Sequence, residues 1–159
     1  MATVKQLLIV VVYVNIRIKN SFLWIFLGTY SLLSNSEEEE IARNYICYGN
    51  PSTIVVVVDA TNLERCLNLV FQIKEITSNI IVCVNLLDEV KNKSIKIDLN
   101  KLSELLNAPV VGTIARKKKT LSTLLNTIIE TSYKNKINTS EEFIDRITKY
   151  DLCFRIYGT

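Results

Sequence analysis

The alternation of apolar runs and amphipathic segments over residues 54–132 constrains the fold more than any other feature of this chain. The runs Ile54–Val58 and Ile80–Val84 are continuous and rich in β-branched residues, which is typical of strands buried on both faces. Each run is followed by a segment with apolar residues at helical spacing, and right-handed crossovers then make the strands parallel. The sequence therefore predicts an α/β fold with a doubly wound, mostly parallel sheet between helical layers.

Two further apolar stretches, Leu7–Val14 and Phe22–Leu33, precede this region and are separated by polar residues that include Arg17 and Lys19; the second predicted strand covers Phe22–Leu27. Neither stretch reaches the roughly 20 residues that a membrane-spanning helix needs, and a charged pair in mid-span is costly. We predict two short strands here. A membrane anchor formed by residues 1–33 is the alternative.

Polar residues at fixed spacing indicate where the helices begin. Ser36 and Glu39 form a capping box for a helix that ends near Cys47, and Thr61 and Glu64 form a second box. The run of glutamates from position 37 indicates a helix start rather than a metal site, because acidic residues along one helix do not converge. The second helix is predicted to place five apolar residues inward: Leu63, Leu67, Val70, Phe71 and Ile73.

The rest of the chain is predicted from the same kinds of signal. A polar loop covers residues 91–96, and Asp98 then caps a helix. Residues 109–111 form a short strand, and apolar spacing over 121–129 indicates another helix. A last short helix is predicted to begin at Thr139, after a polar gap. All of this fits one domain.

Composition excludes several classes of function. The 159 residues contain 19 Lys and Arg against 16 Asp and Glu, so the net charge of +3 is too small and dispersed to indicate a nucleic-acid partner. The chain has no histidine, which excludes His-based triads and His metal ligands from within it. Its four cysteines lack C-x-x-C spacing, so we expect buried, reduced thiols of a cytosolic protein, with no disulfides and no zinc.

Polar side chains follow two of the predicted buried strands. Asp59 comes after the first, and Asn85 and Asp88 come after the second. In open α/β sheets, ligands bind where loops leave the carboxyl ends of parallel strands. An Asn and an Asp three residues apart suit a purine there, because the carboxylate can accept two N–H bonds from guanine while the amide braces the loop. A polar turn with no ligand is the alternative.

Several motifs follow one another in a fixed order: G-T-Y-S-L at 28–32, V-D-A-T-N-L-E-R at 58–65, N-L-L-D-E at 85–89 and A-R-K at 115–117. In this order the chain resembles the cytosolic GTP-binding domain of the ferrous iron transport protein B (FeoB) family, from about residue 28 to about residue 130. The resemblance implies a P-loop GTPase-like fold that is incomplete in its N-terminal part. It divides the chain into divergent strands at 1–27, a G-domain-like core at 28–132 and a linker with a helical tail at 133–159.

The resemblance also implies which residues bind the base. Asn85 and Asp88 would form the guanine-reading loop. Thr113, Ala115 and Arg116 would belong to the loop that closes over the base, with the Ala115 amide facing the guanine oxygen. Ile114 stands where the family usually has Ser, which weakens that loop.

The phosphate side departs from the family. Gly28 falls on the glycine of the D-x-x-G element, whose amide would meet the γ-phosphate, and Thr29 would begin the segment that switches with nucleotide state. The element reads I-F-L-G here, so the magnesium-linked Asp is absent. No G-x-x-x-x-G-K-S/T loop occurs anywhere in the sequence, and that loop normally holds the phosphates and Mg²⁺.

These observations predict a guanine-nucleotide-binding domain related to ferrous iron transport and deficient in hydrolysis. GTP or GDP would bind weakly, Mg²⁺ would bind only with nucleotide phosphates, and the chain would supply no catalytic or metal-ligating residue. We expect a cytoplasmic location, which a partner could bring to the inner face of the membrane. The remainder of a membrane iron transporter or another copy of the chain is the expected partner. The alternative is a non-catalytic interaction module or a non-functional transporter fragment.

Overall fold

The computed structural model describes residues 8–15, 20–27, 37–49, 51–93 and 95–137. In chain order, the strands and helices of these residues are β1 (Leu8–Asn15), β2 (Asn20–Leu27), α1 (Glu37–Tyr48), β3 (Thr53–Asp59), α2 (Leu63–Ile76), β4 (Ile80–Asn85), α3 (Leu87–Asn92), α4 (Leu99–Leu106), β5 (Val110–Gly112) and α5 (Lys118–Ile137). A 3₁₀ turn, Ala60–Asn62, joins β3 to α2.

The five strands form one sheet in the order β2-β1-β3-β4-β5. Strands β3, β4 and β5 are parallel, and their register pairs Val58 with Val84 and Val84 with Gly112. The connections between them run through helices, as right-handed crossovers require. The predicted α/β class with a parallel, helix-covered sheet is therefore confirmed, and so are the two short strands predicted before residue 28.

Strand β1 runs against both of its neighbours. It pairs antiparallel with β2, where Leu8 lies opposite Leu27, and antiparallel with β3, where Leu8 lies opposite Val57. β2 consequently has the same direction as β3. β1 thus begins beside the carboxyl end of β3. Its last residue, Asn15, lies on the side of the sheet where β3 begins.

Both faces of the parallel strands are buried, because successive side chains of a strand point to opposite sides. One face carries Ile54, Val56 and Val58 of β3 and packs against α2. The other face carries Val55 of β3 and packs around Ile128 of α5. Full burial of each of these aliphatic side chains contributes about 1.5–3 kcal/mol, which explains why β3 and β4 are continuous apolar runs.

The inner face of α2 differs from the prediction at one residue. Val70 and Ile73 are buried as predicted, but Phe71 is 51% exposed. The buried stripe also contains Cys66 and Leu69, which gives the i, i+3, i+4, i+7 pattern of a helix face. Phe71 follows Val70 by about 100° around the helix axis and so falls beyond the edge of this stripe.

The predicted capping box of Thr61 and Glu64 is wrong. The cap is Asp59, whose Oδ1 accepts hydrogen bonds from both the amide and the hydroxyl of Thr61 at 2.7 Å. This local bond holds the chain in the 3₁₀ turn before α2 begins, and Asn62 at the start of α2 makes no side-chain cap. The predicted cap of α4 is confirmed, because Asp98 accepts from the amide of Lys101 at 3.0 Å.

Two helices extend into segments predicted to be polar loops. The short helix α3 covers Lys91 and Asn92, and α5 continues through Lys134 to Ile137. The Ser36 cap, the helix predicted from Thr139 and Cys153 all lie outside the described residues. The other three cysteines, at positions 47, 66 and 83, are buried thiols as predicted. Among the residues described, no helix is long and apolar enough to cross a membrane.

Candidate functional site

The carboxyl ends of β3, β4 and β5 meet at one edge of the sheet. Asp59 at the end of β3 lies beside Asn85 at the end of β4 in the parallel register. The amide of Thr113, directly after β5, donates to the carbonyl of Val84 at 2.8 Å and so extends the pairing by one residue. This backbone bond places Thr113 next to Asn85.

Thr113 braces the start of the candidate base-binding loop. Its hydroxyl donates to Oδ1 of Asn85 at 3.2 Å and lies 3.2 Å from Sγ of Cys83. Thr113 is buried, so these contacts replace water for its hydroxyl. Burial raises the pKa of the Cys83 thiol, and the hydrogen bond with Thr113 lowers that pKa by a smaller amount. The thiol therefore stays protonated at neutral pH and acts as a packing group.

The loop between β4 and α3 turns sharply at Leu86. This residue has φ of 64° and ψ of 32°, the left-handed conformation, which costs a non-glycine residue roughly 1–2 kcal/mol. Packing of the next residue supports the turn, because Leu87 lies over Gly112 of β5. A Cβ atom at position 112 would lie 2.5 Å from Cδ1 of Leu87 and 2.6 Å from Cδ1 of Leu99, so only glycine allows this approach without displacing either side chain.

Asp88 lies in the first turn of α3 and contacts Arg116. Nη2 of Arg116 is 2.5 Å from Oδ2 of Asp88. The bond from Arg116 is the main cause of a lowered pKa of the Asp88 carboxyl, which desolvation opposes and the amides of Asp88 and Glu89 reinforce. Oδ1 of Asp88 is shielded from solvent and makes no hydrogen bond of normal length and angle with the described residues, although the amides of Asp88 and Glu89 face the carboxyl group.

The segment that carries Arg116 is held as a tight turn. The amide of Lys117 donates to the carbonyl of Ile114 at 2.7 Å. The hydroxyl of Thr120, in the first turn of α5, accepts from the amide of Ile114 at 3.2 Å, and its one proton can be donated to the carbonyl of Ile114 or to that of Lys117. Thr120 therefore fixes the turn, and Ala115 and Arg116 occupy its exposed tip.

The structure brings most of the predicted base-site residues together. Asn85, Asp88, Thr113 and Arg116 form one connected group at the ends of β4 and β5, and Ala115 lies in the same turn as Arg116. Gly28 and Thr29 lie outside the described residues.

Sequence reasoning missed three features of this group. It missed Thr120 as the residue that fixes the turn, the left-handed Leu86 and the close approach at Gly112. The Thr120 signal was present in the sequence, because a Thr shortly after a loop can bond backbone groups in it. The other two features depend on how β5 packs against α3 and α4, and no local pattern encodes that packing.

The chain matches known proteins over most of its length. A family model described as ferrous iron transport protein B matches residues 11–128. The Fe(2+) transporter FeoB of Campylobacter jejuni is 39% identical over 102 residues, which cover 64% of this chain and 17% of that protein. The Fe(2+) transporter FeoB of Escherichia coli is 37% identical over 101 residues, covering 61% of this chain and 13% of that protein.

Solved structures give the same result. The FeoB G-domain from Methanococcus jannaschii superimposes with a TM-score of 0.67 at 38% identity, covering 71% of this chain and 73% of that one. The cytosolic domain of the T. maritima FeoB iron transporter in its GMPPNP form gives a TM-score of 0.65 at 31% identity, covering 77% and 50%. The fold is therefore that of a G domain. The chain belongs to the ferrous iron transport protein B family and spans a small part of the length of the transporters it matches.

We predict that Thr113→Val destabilises the protein by about 1–3 kcal/mol. Valine keeps the shape of threonine but removes the hydroxyl that bonds Asn85, and a buried polar group left without its partner carries that cost. Urea denaturation measures the change in the free energy of unfolding. Thr123→Val is the matched control, because the Thr123 hydroxyl bonds the Lys119 carbonyl on the exposed side of α5 and should change stability by less than about 0.5 kcal/mol. Equal effects of the two substitutions would show that Thr113 does not brace the site.

Proposed function

We propose that this chain is a guanine-nucleotide-binding domain of the FeoB type that retains the base-recognition half of the site and does not hydrolyse GTP. The observation that carries the proposal is the carboxylate of Asp88 at the carboxyl edge of the sheet. Its shielded Oδ1 makes no hydrogen bond of normal length and angle with the described residues, and its Oδ2 binds Arg116, whose side chain is exposed. A carboxylate in this state accepts N–H donors from a ligand.

The chemistry of the group favours guanine over adenine. Guanine presents an N–H and an NH₂ side by side, and a carboxylate accepts both in a bidentate pair. The six-membered edge of adenine presents an unprotonated ring nitrogen at the corresponding place, which a carboxylate repels. Asn85, held by Thr113, supplies an amide at the start of the same loop. T. maritima FeoB domains in GMPPNP and GDP forms are among the structures with this fold, which supports the same choice of base.

The phosphate side supports loss of hydrolysis. The sequence has no P-loop, and the backbone amides and lysine of that loop normally supply the grip on the β- and γ-phosphates. β1 adds to this argument, because its carboxyl end, where a phosphate loop would begin, lies on the side of the sheet opposite Asn85. The described residues contain no group of three metal-ligating side chains. Mg²⁺ therefore enters the proposal only as a companion of nucleotide phosphates.

The partner we propose is the remainder of a membrane iron transporter. The matched transporters are much longer than this chain, and the structures it resembles include cytosolic domains of such a transporter. We extend that cytosolic location to this chain. The exposed face of α5, formed by Leu121, Leu125 and Ile129, is a surface that such a partner could cover. This apolar face is also the observation that favours the second candidate function, a non-catalytic interaction module.

We predict that Asp88→Asn reverses base preference from guanosine to xanthosine. The amide NH₂ of asparagine is a donor where the carboxylate was an acceptor, so it repels the guanine NH₂ and suits the second carbonyl of xanthine. Chemical-shift titration with the two nucleosides measures both affinities. Asp98→Asn removes the same charge at the cap of α4 and should leave guanosine binding unchanged. Loss of guanosine binding in both variants, or in neither, would contradict the assignment of Asp88.

We predict that the purified chain releases no phosphate from GTP above the rate in buffer, with or without Mg²⁺. The sequence lacks both the P-loop and the D-x-x-G aspartate that normally position the phosphates and the metal. A continuous phosphate-release assay at millimolar GTP measures the rate. Phosphate release that needs Mg²⁺ and disappears in Asp88→Asn would show that the chain is a GTPase.

A further inference from the structure

We propose that Arg116 occupies the guanine position on Asp88 when no nucleotide is bound, so that guanine binds by displacing it. The inference rests on the proposed guanine site and adds that a side chain of the same protein competes with guanine for Asp88. The juxtaposition that carries it joins two loops that lie 28 residues apart in sequence.

Chemical likeness makes Arg116 a stand-in for the base. A guanidinium group is a carbon bonded to three nitrogens, with N–H donors arranged in a planar fork. The edge of guanine that a carboxylate reads contains the same unit, because its C2 atom is bonded to the ring N–H, to the NH₂ group and to a third nitrogen. Both groups therefore present N–H donors to a carboxylate in the same plane, and only one of them can occupy Asp88 at a time.

Arg116 contacts only one of the two carboxylate oxygens of Asp88. Nη2 of Arg116 binds Oδ2 of Asp88, whereas Oδ1 makes no hydrogen bond of normal length and angle with the described residues. The two parallel N–H donors of guanine would bind both oxygens. A bound base consequently forms one hydrogen bond more with Asp88 than Arg116 does, which gives it an advantage in the exchange.

Arg116 can leave without cost to the core. Its side chain is 84% exposed, against 26% for Asp88, and it sits at the tip of the turn that Thr120 fixes. Moving an exposed side chain into solvent breaks one ion pair and no packing. Exposed ion pairs are weak, so competition by Arg116 should weaken base binding by up to roughly fivefold.

The test measures guanosine binding to the full chain and to Arg116→Ala by chemical-shift titration. Guanosine has no phosphate, so removing the arginine charge cannot change affinity through a phosphate contact. We expect Arg116→Ala to bind guanosine roughly two- to fivefold more tightly, and Lys117→Ala, which removes the neighbouring exposed charge, to bind it as the parent chain does. Carboxyl-carbon NMR on the same proteins should show the pKa of Asp88 rising toward its ordinary value in Arg116→Ala only.

The outcomes separate this inference from the proposed function. If the parent chain binds guanosine and Arg116→Ala binds it equally or more weakly, Arg116 is no competitor although the guanine site stands. An unchanged pKa of Asp88 in Arg116→Ala would also overturn the inference, because the contact would then not exist in solution. If neither protein binds guanosine at all, both the inference and the proposed guanine site fail.

Discussion

The direction of β1 is the constraint on which the rest of this structure depends. The strand lies in the middle of the sheet and is hydrogen-bonded antiparallel to both β2 and β3. In doubly wound nucleotide-binding folds, the phosphate loop follows the carboxyl end of a parallel strand and opens a helix. β1 instead ends at the opposite edge. Because both of its sides are paired, the sheet also has no gap between β2 and β3 into which a strand from a partner could insert.

By contrast, backbone pairing and side-chain contacts hold the residues of the proposed base site together. The parallel register of β3, β4 and β5 sets the positions of Asn85 and Thr113 through backbone bonds, and Thr120 and Gly112 set the loops that follow. A backbone register moves little, so the carboxylate of Asp88 is presented in place before any ligand arrives. Preorganisation of this kind lowers the cost of binding. It supports the base site that we propose for this chain.

The sequence predicted the strands that are buried on both faces of the sheet and the features that depend on local residue spacing. The runs at 54–58 and 80–84 are unambiguous because a strand covered on both sides must be apolar at every position. Phe71 was mispredicted because it lies about 100° around α2 from Val70, beyond the buried stripe of the helix. The start of α2 was mispredicted because Asp59, through its bond to Thr61, caps the turn before it. The pairing of Arg116 with Asp88 depends on the relative position of two loops, which no spacing in the sequence encodes.

We propose that this chain binds the guanine base selectively but does not bind the phosphates of the nucleotide. The most direct test is a series of titrations with guanosine, GMP, GDP and GTP under one set of conditions, with adenosine as the control base. We expect weak dissociation constants, of ~mM order, that change little as phosphates are added, with no measurable binding of adenosine. A dissociation constant for GDP or GTP that is orders of magnitude lower than that for guanosine would show a working phosphate site and contradict it.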